Sequence, residues 1–385
     1  MQLFSRIKLG NERYPALTGV RAVGATVVFL DHFPPWVDAH ITINVMAFFF
    51  ALSGFLIVRI YHEQAEINRR WLAKYFVNRF ARIYPVYFLL LSIAVCLQHD
   101  FRPWTLVTNY TLTHGLFHGA DLIIQPSWSL TVEECFYFLA PFFMILARRH
   151  NFWVSFALAG FFLLMALVIS KLGISFLGTS SFVFTNTFFG HFAEFFAGFY
   201  LALALMRLEK QQPAYAPGNK YTMVGVGGVL LLVAAMIMVY RHVPTHFGAI
   251  ILINNFLIPF PIAVLYWGLI REKTLLSKLL STNTAGLLGR SSYSFYLLHT
   301  LVINYIGVPL LLARGGFRPL YVLLALLATW IASILLFVAY EEPVNMLIRR
   351  VFRSKDKTIG MPSTLFQVSS KPLEAGGRSV ARTDT

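Results

Sequence analysis

The stretch GVRAVGATVVFLDHFPP, residues 19–35, decides the fold. It is nearly apolar from Ala22 to Leu30, as a membrane helix is, yet Arg21 stands at its start and Asp31 and His32 at its end. At 1.5 Å per residue, Arg21 and His32 lie roughly 16 Å apart along a helix, about half the thickness of a bilayer's hydrocarbon layer. The same spacing is close to three helical turns, so both side chains leave the helix on one side.

Composition extends this reading to the whole chain. Of 385 residues, 57% are hydrophobic and 13% are charged, against ~25% charged in soluble domains. The chain reads as an all-α, polytopic membrane bundle. Ten apolar stretches are long enough to span: 16–33, 41–61, 83–98, 128–147, 152–170, 182–206, 221–240, 248–270, 286–307 and 319–340. Runs of this length lack the two-residue alternation of a membrane barrel, and lipid leaves a backbone only helix or barrel. The first span runs into chemistry-bearing residues and is expected to be retained rather than removed as a leader. The net charge of +15 does not indicate nucleic acid, because the basic residues recur between the apolar spans and form no single patch. Cys96 and Cys135 lie in apolar stretches; no disulfide framework and no metal-binding spacing is expected.

The Lys and Arg distribution sets the orientation. With the N-terminus in the cytoplasm, 27 of the 32 Lys and Arg residues fall inside, and an even number of spans brings both termini to that side. A membrane domain over residues 1–343 and a cytoplasmic, disordered tail over 344–385 are expected; the tail is polar and non-periodic from residue 354 on. The loop 62–82 shows apolar residues at helical spacing among cations and reads as an interfacial amphipathic helix. The longest outer segment, 99–127, leads into PSWSLTVEECFYFLAP.

Charged and polar groups inside a membrane are costly and point to function. Arg21 falls at the inner rim, where simple positive-inside anchoring is the alternative, and His32 at the outer rim, where a solvated interfacial ring is the alternative. Glu133 and Glu134 open the fourth span at the level of His32; complementing a helix dipole is their plain explanation, and Ser129 or Thr131 can cap that end. Trp128 and the polar run SWSLT are left unexplained by it. Arg79 and Arg82, at i and i+3, share a helical face and form a fork suited to phosphate or to lipid headgroups. Ser53 and Gly54 in mid-span suit close helix packing. GRSSYSFYLLH, 289–299, places a polar cluster and His299 in one span, and His191 and Glu194 are spaced to pair with each other.

These motifs resemble the membrane-bound acyltransferase 3 family, bacterial enzymes that O-acylate extracytoplasmic polysaccharides and other acceptors. Arg21 and His32 match that family's arginine and histidine on the first helix. FFFALSGFLI, RFARIYPVYF, PSWSLTVEECFYFLAP, SYSFYLLH and AYEEP follow in family order, covering residues 14–343. Thr18 stands where relatives usually carry an acidic residue, and the soluble hydrolase-like domain that some relatives append is not seen.

The resemblance implies a multi-pass enzyme of the bacterial inner membrane that moves an acyl group, usually acetyl, from cytoplasmic acyl-CoA to a hydroxyl of an extracytoplasmic glycan or lipid-linked saccharide. Acyl-CoA is then a co-substrate, with no tightly bound cofactor and no metal. His32 is the expected base, since imidazole titrates near neutral pH. Its orienting carboxylate is expected to be Glu134, with Glu133 beside it, rather than Asp31, because sequence neighbours on a helix point about 100° apart. Arg21, Arg79 and Arg82 are expected to meet the donor's phosphates, Ser53 to line its path, and Trp128 and Ser129 to contact the acceptor. Membrane lipids are the remaining partners. The rival reading is a transporter or flippase for lipid-linked sugars, which often shows repeated halves; no repeat is seen. An intramembrane serine protease using Ser53 and His299 leaves the Arg21–His32 and Glu133–Glu134 motifs without a role.

Overall fold

A computed structural model describes residues 13–32, 41–66, 68–149, 152–172, 180–209, 218–243, 247–307, 309 and 319–357. The described residues form helices and connecting turns, with no strand among them. The described residues of the ten predicted spans are largely helical, with a break at Thr187. Among the described residues, seven stretches are long and apolar enough to cross a membrane: Val45–Gln64, Arg69–Gln98, Gln125–Arg148, Phe182–Glu209, Lys220–His242, Phe247–Arg271 and Pro319–Phe352. Large apolar side chains such as Phe138, Leu230 and Leu231 face outward, as they do where lipid is the solvent.

The elements that build the site are α1 (Pro15–Asp31), α2 (Ile41–Tyr61), α3 (Arg69–Gln98), α4 (Pro103–Tyr110), α5 (Trp128–Arg149), α6 (Phe152–Leu172), α7 (Ser180–Asn186) and α8 (Phe188–Glu209). Then come α9 (Lys220–His242), α10 (Phe247–Ile251), α11 (Pro259–Arg271), α12 (Leu275–Leu280), α13 (Asn283–Val302), α14 (Pro319–Leu336) and α15 (Glu342–Lys357). Local chemistry starts several of them. Pro15 occupies the first turn of α1, where a missing N–H costs nothing. Asn68 caps α3 by accepting from the Trp71 N–H at 2.8 Å, and Thr282 caps α13 by accepting from the Ala285 N–H at 3.3 Å.

Two close approaches hold the bundle. Helices α2 and α8 pack most extensively. A Cβ on Gly54 would stand 2.1 Å from the Phe195 carbonyl oxygen, and one on Gly198 only 1.7 Å from that of Ala51. The predicted role of Gly54 in close packing is therefore met. On the other side α1 and α13 run parallel. Gly289 lies against the Thr18 backbone, Phe295 packs on Phe29 at 6.0 Å, and His299 reaches His32.

Two predicted boundaries change. The expected interfacial helix over 62–82 is not a separate element: residues 69–82 are the first half of the 30-residue α3. Its amphipathic pattern has a tertiary cause, since Tyr75 and Arg79 are buried against other helices while Phe76 and Phe80 face out. The tail expected to be disordered from residue 344 instead continues as α15 to Lys357. That segment carries apolar residues at helical spacing, among them Leu347 and Val351, between its cations. Residues 33–35 of the opening stretch, the N-terminal 1–12 and the tail 358–385 lie outside the described residues.

Candidate active site

The structure arranges the flagged residues around two cavities in the bundle. One, called the inner chamber, is lined by Arg21, Arg82, Ser53, Glu133, Tyr137 and Ser129, among others. The other, called the outer chamber, is lined by His32, Gln125, Pro126, Trp128 and Asn186, among others. Arg21 on α1 lines one chamber, and His32, which follows the helix, lines the other.

His32 follows the end of α1. Its Nδ1 lies 2.8 Å from the Val28 carbonyl oxygen. A carbonyl only accepts, so Nδ1 is the donor, and in the neutral ring Nε2 is the nitrogen that carries the lone pair. The neighbouring ring is that of His299, edge-on with centroids 5.0 Å apart. His299 is fully buried. Its Nδ1 donates to the Tyr296 carbonyl at 2.5 Å, and its Nε2 has no hydrogen-bond partner among the described residues.

The carboxylates do not sit where the sequence reading puts them. Glu133 accepts from the Ser53 and Tyr137 hydroxyls and lines the chamber of the arginines, not that of His32. Glu134 lines neither cavity and no described carboxylate hydrogen-bonds His32. The reason is depth. Helix α5 begins at Trp128, which lines the outer chamber. Glu133 is five residues further along, about 7.5 Å deeper, so it falls level with Ser53. Arg79 is one of the charges nearest Glu134.

The two arginines of α3 separate as well. Arg82 lines the inner chamber. Arg79 is 7% exposed and lies between the Tyr61 and Tyr137 rings at 5.4 and 5.2 Å from their centroids, an arrangement that stabilises a cation without exposing it. Glu341, in the π-helical turn Phe337–Glu341, accepts from Ser294 at 2.6 Å, with Arg82 and Arg21 among its charged neighbours. Sequence reasoning missed Tyr137 and Tyr296. Both carried a signal: Tyr137 is four residues from Glu133, and Tyr296 three before His299, which are same-face spacings.

The remaining flagged groups are supports. Ser129 is buried with its hydroxyl 2.7 Å from that of Tyr296, and lines the inner rather than the outer chamber. Thr131 donates to the Leu112 carbonyl at 2.8 Å. The His191–Glu194 pair forms as its spacing predicts, at 3.0 Å, and His191 packs behind Trp128 at 5.6 Å between ring centroids. In the outer segment, His114 Nε2 lies 3.1 Å from the Ser127 hydroxyl, and burial pushes its imidazole below the ordinary histidine range.

The described helices and chambers belong to a multi-pass membrane protein, and a family model described as an acyltransferase domain matches residues 14–338, which makes the class an integral membrane acyltransferase. The chain belongs to the membrane-bound acyltransferase 3 family. Acyltransferase MdmB of Streptomyces mycarofaciens is 25% identical over 88% of this chain and 93% of its own length. Peptidoglycan O-acetyltransferase OatA of Listeria monocytogenes is 28% identical over 37% of this chain, which is 25% of its own length. No solved structure matches the chain significantly.

Proposed function

We propose that the protein takes an acyl group from acyl-CoA on the cytoplasmic side and transfers it to a hydroxyl of an extracytoplasmic glycan or lipid-linked saccharide. The single observation that carries this reading is the division of α1 between two chambers: Arg21 in one with Arg82, His32 in the other with Trp128. The name of the Listeria relative, a peptidoglycan O-acetyltransferase, favours acetyl as the group moved and a glycan as the acceptor.

The donor's phosphates sit at Arg21 and Arg82, and guanidinium forks suit them. Glu133 and Glu341 offset part of the buried positive charge, and Glu133 fixes Ser53 and Tyr137 along the path. The unbranched end of the pantetheine arm extends from the inner chamber to the outer. There Nε2 of His32 takes the proton of the acceptor hydroxyl as its oxygen bonds the acyl carbon. The carbon–sulfur bond then breaks, and the imidazolium returns the proton to the departing thiolate. Trp128 offers its face to a sugar ring in the outer chamber. Glu133 is thus a charge-balancing and positioning residue, and the base relies on its own backbone bond for orientation.

The test is reconstitution in lipid with radiolabelled acetyl-CoA and candidate glycans. Label on the acceptor with wild type, and none with His32→Ala, is the expected result. Full transfer by His32→Ala removes His32 from the reaction, and movement of unmodified glycan without acyl transfer favours a transporter.

A further inference from the structure

Two side chains, Met46 and Tyr296, line both chambers. Arg21, Arg82 and Ser53 lie on one side of them, and His32 and Trp128 on the other. We propose that Met46 and Tyr296 form the neck between the chambers and select the acyl group by cross-section, passing unbranched acyl chains and rejecting those branched next to the carbonyl. This rests on the donor reading above, in which the acyl end of the thioester travels from the inner chamber to His32.

The two walls of the neck differ in mobility. Tyr296 is 9% exposed and tied at its tip. Its hydroxyl donates to the Pro126 carbonyl at 2.9 Å and lies 2.7 Å from the Ser129 hydroxyl. Swinging the ring away breaks both bonds. Met46 is 2% exposed, and its sulfur touches the Tyr296 hydroxyl at 3.5 Å. Its side chain is unbranched with three rotatable bonds, so it changes shape at little cost. Tyr296 is the fixed wall and Met46 the yielding one.

On this proposal, rotation of Met46 widens the neck while Tyr296 stays in place. A narrow neck suits a straight acyl group and the cysteamine and β-alanine end of the arm that follows it. A methyl branch beside the carbonyl adds width where Tyr296 does not give way. Excluding one carbon from a packed apolar site is worth about tenfold or more in rate. The neck therefore separates propionyl from isobutyryl, which differ by one branching methyl, more strongly than it separates acetyl from propionyl.

The experiment measures transfer from acetyl-, propionyl- and isobutyryl-CoA by the reconstituted full chain, as ratios within each preparation. Such ratios do not depend on the folded fraction. Wild type is expected to use propionyl at least about tenfold faster than isobutyryl. Met46→Ala is expected to reduce that preference to within a few-fold, and Met46→Val to an intermediate value; Met46→Val carries the test alone if the alanine variant yields no folded protein. An unchanged propionyl-to-isobutyryl ratio in a variant that still transfers acetyl overturns the inference and leaves the donor reading standing. Wild type that consumes none of the three thioesters overturns the donor reading, and the neck with it.

Discussion

His32 holds its Nδ1 proton on the Val28 carbonyl, which leaves Nε2 as the nitrogen able to accept one. Replacing it by alanine is expected to lower transfer by at least about 10², with the variant's melting temperature in detergent close to wild type because the ring is only half-buried. Arg82 faces the inner chamber while Arg79 is enclosed by Tyr61 and Tyr137. Arg82→Gln is therefore expected to raise KM for acyl-CoA about tenfold or more, the worth of one charge-assisted hydrogen bond; Arg79→Gln is expected instead to lower thermal stability, since it removes a buried cation from between two rings. Steady-state kinetics and melting curves of the two variants separate these outcomes. The identity of the polar residues was legible in the sequence, because intramembrane charges are few. Their pairing was not: Glu133 and Glu134 were read at the level of His32 since both motifs lie near the outer ends of their spans. The sequence places the start of that span at Trp128; what it does not show is that Trp128 shares the chamber of His32, which puts Glu133, five residues further along, level with Ser53.

At the scale of elements, glycines decide which helices touch. A Cβ at position 198 meets the Ala51 backbone oxygen, and backbone has no rotamer by which to retreat. Gly198→Val is expected to destabilise the α2–α8 interface by about 1–3 kcal/mol or more, seen as a lowered melting temperature and weakened transfer together. The outer segment carries a pH response. His114 is buried, and burial holds its imidazole below the ordinary histidine range. A depressed histidine stabilises the folded segment fully above the unfolded value, about 6.5, and that contribution is lost as pH falls from there toward the folded value. Stability measured between pH 7 and pH 5 is expected to fall, and His114→Gln to flatten the slope. Apolar runs mark where the described chain is helical, since lipid demands helix of any such run. Apolar patterning misplaced the start of α3, because an amphipathic pattern looks the same beside a membrane surface as against neighbouring helices, and it missed α15, which falls where a disordered tail was expected.

Over the whole molecule, the helices place a cationic chamber and a histidine chamber on one line, divided by Met46 and Tyr296. The rise between Arg21 and His32 fixes the separation, and the parallel packing of α1 with α13 fixes the neck, since Tyr296 and His299 sit one turn apart on α13. Sequence reading reached the first of these from helical geometry alone. It did not reach the second, because the neighbours of α13 are set by contacts far apart in the chain. In the function proposed above, the acyl group passes through the bundle, so donor and acceptor need not share a compartment. The direct measurement seals radiolabelled acetyl-CoA inside proteoliposomes of defined orientation and supplies the acceptor glycan only outside. The expected result is label on the external glycan with the wild-type protein and none with His32→Ala. Label that appears only when donor and acceptor are on the same side, or that persists without His32, contradicts the account.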